Sequence, residues 1–279
     1  MTAPPVAALA AARLRERLAA VLAAVAPDRA ERVAGKPRDV SLHDLRVACR
    51  RLETALRLWA QGNAAREARV RARAMRRAAG PAREHEVLIG MLRARRLGAA
   101  AVPPPLRRAW LERLSRAPHA SPQVALPAAR ALAKLAARVE RVACDLAAEP
   151  DTHARMRAKL QRWRLAGRSR LAQALASGDT ETLHRARLAL KRWRYAEEER
   201  AAAWPGRSRA GAASPLRRWQ RSLGELNDRS LLIAFAAAVG PPGRRLVARL
   251  EALRSAQLRS LRARRDALVV PPRARSRRA

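Results

Sequence analysis

One eleven-residue string occurs twice in this chain, and that repetition restricts its fold more than any other feature. Residues 42–52 read LHDLRVACRRL and residues 183–193 read LHRARLALKRW, so His43, Arg46, Arg50 and Arg51 recur as His184, Arg187, Lys191 and Arg192, 141 residues further on. A second pair follows each copy: GPAREHEVL at 80–88 matches GELNDRSLL at 224–232, and just upstream Arg73 and Arg77 correspond to Arg217 and Arg221. Self-similarity over this distance marks a duplicated structural unit. The two half-repeats run from about 6 to 140 and from about 150 to 268.

Both copies are built for helices. The apolar fraction of 49% is mostly Ala, Leu and Val, and aromatics make up only 3%. Ala and Leu are strong helix formers, and with few β-branched runs there is little to make a strand. Helical periodicity fills the spans between Pro and Gly breaks. It predicts helices near 6–26, 41–60, 64–79, 84–97, 105–116, 124–148, 152–176, 180–203, 212–223, 228–239 and 243–268. The tail 271–279, PPRARSRRA, reads as a basic disordered segment. An all-α chain follows.

Charge narrows the partners. Sixty basic residues face 23 acidic ones, for a net charge of +37, and all the bases except Lys36, Lys134, Lys159 and Lys191 are Arg. A self-repelling surface of that size destabilises the compact state unless a counter-charge is bound. Nucleic acid, polyphosphate or an anionic membrane surface would each supply one. The longest uncharged apolar runs, Leu18–Ala26 and Leu231–Val239, are too short to span a bilayer. Cys49 and Cys144 have no metal-type spacing, and the N-terminal stretch lacks a basic segment ahead of its apolar part. The expectation is a soluble cytoplasmic protein with no metal and no cofactor.

The repeated string has a definite geometry. With His43 at zero on a helix, Arg46 falls near about −60°, Arg50 near about −20°, Arg51 near about +80° and Arg57 near about −40°. Leu45, Ala48, Cys49, Leu52, Leu56 and Trp59 gather on the other side. The second copy repeats the division: His184, Arg187, Lys191, Arg192 and Arg194 line one side, with Tyr195 expected at the rim, while Ala186, Ala189, Leu190 and Trp193 back it. Guanidinium forks match pairs of phosphate oxygens. A ladder rising by roughly 5.4 Å per turn suits a ligand of regularly repeated charge. A single charged stripe is ordinarily just a solvated face. Two such stripes with His in the same register are not explained that way, and a binding role for the paired helices follows. Arg73, Arg76, Arg77, Arg217 and Arg221 are further candidates or simple surface coating. Asp228 is expected to help start a helix beside Asn227 or to pair with an Arg, with Glu84 as its counterpart. His85, His119 and His153 have no matched partner. Trp59, Trp163, Trp193 and Trp219 fall at apolar positions.

VSLHDLRVACRRLETALRLW, TLHRARLALKRWRYAEEE, GPAREHEVL and LGELNDRSLL together closely resemble the CHAD family, the conserved histidine α-helical domain, over residues 6 to 268. The resemblance implies one domain of two pseudo-symmetric antiparallel four-helix bundles around a central basic groove. It implies binding of inorganic polyphosphate, often at polyphosphate granules, through His43, Arg46, Arg50, Arg51, His184, Arg187, Lys191, Arg192 and Arg194, and through Arg73, Arg77, Arg217 and Arg221. Glu84 stands where the family has Asp, Ala186 where it has a larger apolar residue, and Pro81 follows Gly80. The Glu-x-Glu-x-Lys strand of the triphosphate-hydrolase module fused to some relatives is absent.

Two other readings compete. Phosphate affinity is independent of base sequence, so non-specific nucleic-acid binding fits the charge, although no known reading motif is recognisable. Enzymatic phosphate-chain chemistry calls for metal-holding carboxylates or a phosphate loop. Here the acids are scattered, and the one run, Glu197–Glu199, reads as a helix surface. The expectation is a binder with no catalytic residues.

Overall fold

The computed structural model describes residues 5–25, 42–96, 99–116, 127–203 and 213–264. Its elements are α1 (Val6–Ala23), α2 (Leu42–Trp59), α3 (Gly62–Ala78), α4 (Gly80–Arg93), a short 3-10 turn (Ala99–Ala101), α5 (Pro104–Ser115), α6 (Ala129–Ala147), α7 (Thr152–Ser177), α8 (Thr180–Ala203), α9 (Ala213–Ala238) and α10 (Pro241–Ala263). Among the described residues every regular element is helical, as the composition requires. The breaks expected at 27–37, 118–122 and 205–206, and the tail 271–279, lie outside the described residues.

The largest departure from the periodicity is α9. Two helices were expected at 212–223 and 228–239, whereas one helix runs through both. The aligned segment of the first half is interrupted at Ala79, between α3 and α4. Proline accounts for the difference. It has no N–H and its ring clashes with the carbonyl four residues earlier, so Pro81 is accommodated only in the first turn of a new helix. Glu225 occupies the aligned place in α9 and imposes no such limit. Helix α4 therefore begins at Gly80, ahead of the 84 expected, and ends at Arg93.

The described residues divide into two compact units. One contains α1, α2, α3 and α6, with the starts of α4 and α7 and the end of α8. Here α1 packs on α2 and α6, and α3 packs on the same two helices, which closes a four-helix ring. Its core is Leu14 and Val21 of α1, Leu45, Leu52, Leu56 and Trp59 of α2, and Leu135, Val139 and Leu146 of α6. Helix α3 contributes Ala65, Ala68 and Ala72, all fully buried, whose small size lets neighbouring helices approach closely.

The other unit holds α5 up to Arg113, α7 from Gln161, α8 up to Glu197, α9 and α10. Residues 87–96 and 99–113, which lie in the first sequence half, pack with this unit. Arg168 of α7 lies over the Trp193 ring of α8 at 5.8 Å, α9 packs on α10, and Arg262 of α10 donates to the carbonyl of Leu175 in α7 at 2.6 Å. Trp110 of α5 meets Phe235 of α9 edge to face at 5.3 Å. The α7–α8 turn depends on Gly178, which has a positive φ of 70° and lies so close to Leu258 that a Cβ would come within 2.7 Å of it. Asp179 then caps α8, accepting the Thr182 N–H at 2.8 Å, and that bond holds its carboxyl below the usual aspartate range.

Leu52 is fully buried in the α2 face of the first ring. Leu52→Ala should lower unfolding free energy by about 2–5 kcal/mol in urea titrations. Burial likewise raises the Cys49 thiol to about 12, whereas Cys144 is exposed. Because the thiolate is the reactive form, an alkylating reagent near neutral pH should label Cys144 in the folded protein and reach Cys49 only after denaturation, as read by peptide mass.

Candidate functional site

The motif helices divide as their periodicity predicts. In α2, Leu45, Ala48, Cys49, Leu52, Leu56 and Trp59 are buried, while His43 is exposed and Arg46, Arg50, Arg51 and Arg57 are half-buried. In α8, Ala186, Ala189, Leu190 and Trp193 are buried, and His184, Arg187, Lys191, Arg192 and Arg194 are half-buried. Arg73 and Arg77 on α3, and Arg217 and Arg221 on α9, are exposed. Half-burial suits long cations, whose methylene stems cover apolar surface while the charged ends reach outward.

The first motif arginine plays a different part in each unit. In an uninterrupted helix the Arg76 carbonyl would accept a backbone N–H four residues on. At the break before Pro81 the Ala79 N–H still reaches the Met75 carbonyl at 3.3 Å, but the end of a helix leaves later carbonyls short of such partners. Arg46 answers this directly: its Nη1 donates to the Arg76 carbonyl at 2.6 Å. The same nitrogen passes 3.3 Å from where a Cβ on Gly80 would sit, so the glycine keeps the approach open. In the other unit Arg187 passes the aligned Gly224, with Nε 3.7 Å from the equivalent point. Helix α9 is continuous there, so the balancing group changes. Burial holds the Arg187 guanidinium below the ordinary arginine range, and the charges of Asp228 and Tyr195 oppose that shift. Asp228 lies inside α9, so it does not start a helix; its charge acts on Arg187, and its carboxylate accepts the Asn227 side-chain amide at 3.4 Å. Glu84, its counterpart, is exposed.

Histidine follows the same pattern of local anchoring. His184 Nδ1 lies 3.1 Å from Asn227 Oδ1, which fixes the ring and leaves Nε2 as its other polar edge. Arg83 holds the aligned position in the first half and pairs instead with Glu86 at 3.0 Å. Tyr195, expected at the rim, is buried at 3% exposure because its ring packs beneath Arg194, 4.5 Å from the guanidinium carbon. Arg192 lies over the half-buried Trp163 at 5.8 Å, an arrangement that orients a cation without neutralising it. Trp59, Trp193 and Trp219 are core residues.

The carboxylates hold the cations in place. The Glu197–Glu199 run, expected to coat a helix surface, is largely interior: Glu197 is 5% exposed and Glu199 1%. Glu199 accepts Arg13 Nε at 3.1 Å and Arg17 Nε at 2.5 Å, both from α1. Glu197 accepts Arg164 Nε at 2.8 Å and the Trp193 indole at 3.0 Å. Glu198 lies 3.3 Å from Arg51, and the buried Glu53 accepts Arg76 at 2.7 Å. Sequence reasoning missed these because their partners come from other helices. His85, without a counterpart in the repeat, bonds the Leu114 carbonyl. Among the described residues no three His, Cys, Asp or Glu side chains gather as a metal site would require, and no helix is long and apolar enough to cross a membrane.

The CHAD domain family profile matches residues 12–237, and the chain belongs to that family. Its fold is similar to the crystal structure of the CHAD domain from the plant Ricinus communis, with a TM-score of 0.64 and 20% identity, covering 97% of this chain and 93% of that one. No curated protein matches the sequence significantly.

The contrast between Arg187 and Arg46 yields a direct test. Asp228→Asn should destabilise the fold by roughly 1–3 kcal/mol, since a buried guanidinium loses its counter-charge, while Glu84→Gln should leave stability nearly unchanged. Chemical denaturation of the two variants measures the difference.

Proposed function

We propose that this chain binds inorganic polyphosphate along the cationic faces of α2 and α8, without turning it over, and so associates with polyphosphate granules. One observation carries the reading: each unit presents a His-led series of Arg and Lys off the apolar side of its motif helix, in the same register. Membership of the CHAD family supports it. Arg50 and Arg51 in one unit and Lys191, Arg192 and Arg194 in the other are the ligand-facing groups. Arg57, Arg73, Arg77, Arg217 and Arg221 extend the positive field, with His43 and His184 as imidazole donors. Arg46 and Arg187 shape the two faces from beneath, the first as a helix cap and the second against Asp228.

The chemistry favours a chain over a single phosphate. Successive turns offer cations spaced by roughly 5.4 Å, and each bound phosphate releases a condensed counterion. Such a ligand also relieves the repulsion within the series. The buried carboxylates Glu53, Glu197 and Glu199 are each held by arginines, which suits structural anchoring better than metal-assisted hydrolysis.

Arg50→Ala combined with Arg192→Ala should weaken long-chain polyphosphate binding by at least about tenfold and flatten its salt dependence by roughly one to two contacts, with helical circular dichroism retained. Duplex DNA competing at matched phosphate and fixed salt should lose to polyphosphate. A win for DNA would overturn this reading in favour of sequence-independent nucleic-acid binding, and phosphate release in Mg²⁺ would overturn the absence of turnover.

A further inference from the structure

The second motif helix closes its cationic side with an acid. His184, Lys191 and Glu198 follow one another at seven-residue intervals along α8, so each lies within about 20° of the one before. The repeat makes the change of sign plain: at the offset of 141, position 198 aligns with Arg57 of α2. Where the first copy carries its positive series onward, the second ends in a carboxylate.

Glu198 is held differently from the glutamates on either side of it. Glu197 and Glu199 are buried, and each accepts two donors at 3.1 Å or less. The Glu198 side chain is 22% exposed, and its Oε2 lies 3.3 Å from Nη2 of Arg51, whose own side chain is 34% exposed. An ion pair with that much access to water contributes little to stability, so exchanging one anion for another costs the fold little. The motif position itself is treated differently in the two halves. Arg51 meets a carboxylate, whereas its counterpart Arg192 lies over the Trp163 ring.

We propose that Glu198 is an internal competitor of the polyphosphate chain: its carboxylate occupies the place on Arg51 that a bound phosphate takes, and the chain displaces it. This role rests on the polyphosphate reading above, which makes Arg51 a ligand-facing group. Carboxylate and phosphate oxygens are both acceptors for the same guanidinium fork, so they exclude one another there. Glu198 has the advantage of being tethered in the fold. A chain already gripped at the adjacent Arg50 offsets that advantage, because its next phosphate is delivered at a high effective concentration. Once displaced, the carboxylate stands beside bound phosphates of its own sign and cancels one unit of the positive charge that the face presents. Glu198 thereby holds Arg51 in place before the ligand arrives and keeps the bound chain releasable.

Long-chain polyphosphate binding by the parent, Glu198→Gln, Arg51→Gln and the double variant, each over a series of salt concentrations, tests this. Glu198→Gln should tighten binding by about two- to fivefold, the scale of an exposed ion pair. It should also steepen the fall of log K with log salt by about 0.7, as one more phosphate is neutralised. In the Arg51→Gln background the same substitution should change little, because no guanidinium is left to release. Glu198→Ala should repeat the gain, which guards against an artefact of the amide, with helical circular dichroism retained in every variant. Unchanged or weakened binding by both Glu198 variants overturns the competitor. An equal gain with and without Arg51 overturns it too, since the carboxylate would then act through the general field and not at that guanidinium. Arg50→Ala with Arg192→Ala, measured alongside, reports on the motif faces themselves. If that variant binds as the parent does, the polyphosphate reading fails and takes the competitor with it; if it weakens while the Glu198 variants do not tighten, only the competitor fails.

Discussion

The structure depends on how a chain with 60 basic and 23 acidic residues neutralises itself internally. Exposed ion pairs contribute little, so scattering the few carboxylates over the surface would leave the helices repelling one another. Among the described residues three glutamates are buried instead. Glu199 gathers two arginines of α1, Glu197 gathers Arg164 and an indole, and Glu53 gathers Arg76. A buried carboxylate is costly unless fully bonded, and these are bonded by groups from a second helix, so each ties two helices at a fixed separation. The remaining positive charge is left to the outside, where it sets what the protein can attract.

Duplication supplied two copies of one plan, and a single residue altered how they are completed. Pro81 ends α3 and obliges Arg46 to cap it; Glu225 lets α9 continue and leaves Arg187 to be balanced by Asp228. A glycine lies beside each arginine, but only at Gly80 is the approach tight, 3.3 Å against an ordinary 3.7 Å contact at Gly224. The motif thus mixes two duties. Its first arginine reaches a neighbouring helix, and two of the later positions hold their guanidinium groups over aromatic rings, Arg192 over Trp163 and Arg194 over Tyr195.

Much of this was legible in the sequence, and the part that was not has a physical cause. The helix periods of α2 and α8, their apolar and cationic sides, and the correspondence of His43 with His184 are local properties of the order of residues. The burial of Trp59, Trp193 and Trp219 follows from the same periodicity. The reading of Glu197–Glu199 as a surface run failed because burial of a charge is decided by its partner. Tyr195 was placed at the rim by its angle on the helix, which takes no account of the arginine stacked above it.

By itself the sequence determined an all-helical chain, the repeated unit, two helices with opposed apolar and cationic sides, and a net charge of +37. Those features depend on residues three or four apart, and short-range geometry fixes them. Only the tertiary structure decided which arginines are held by buried carboxylates of other helices. Arg13 and Arg17 meet Glu199 from 186 and 182 residues away, and contacts over such distances exist only once the helices have packed.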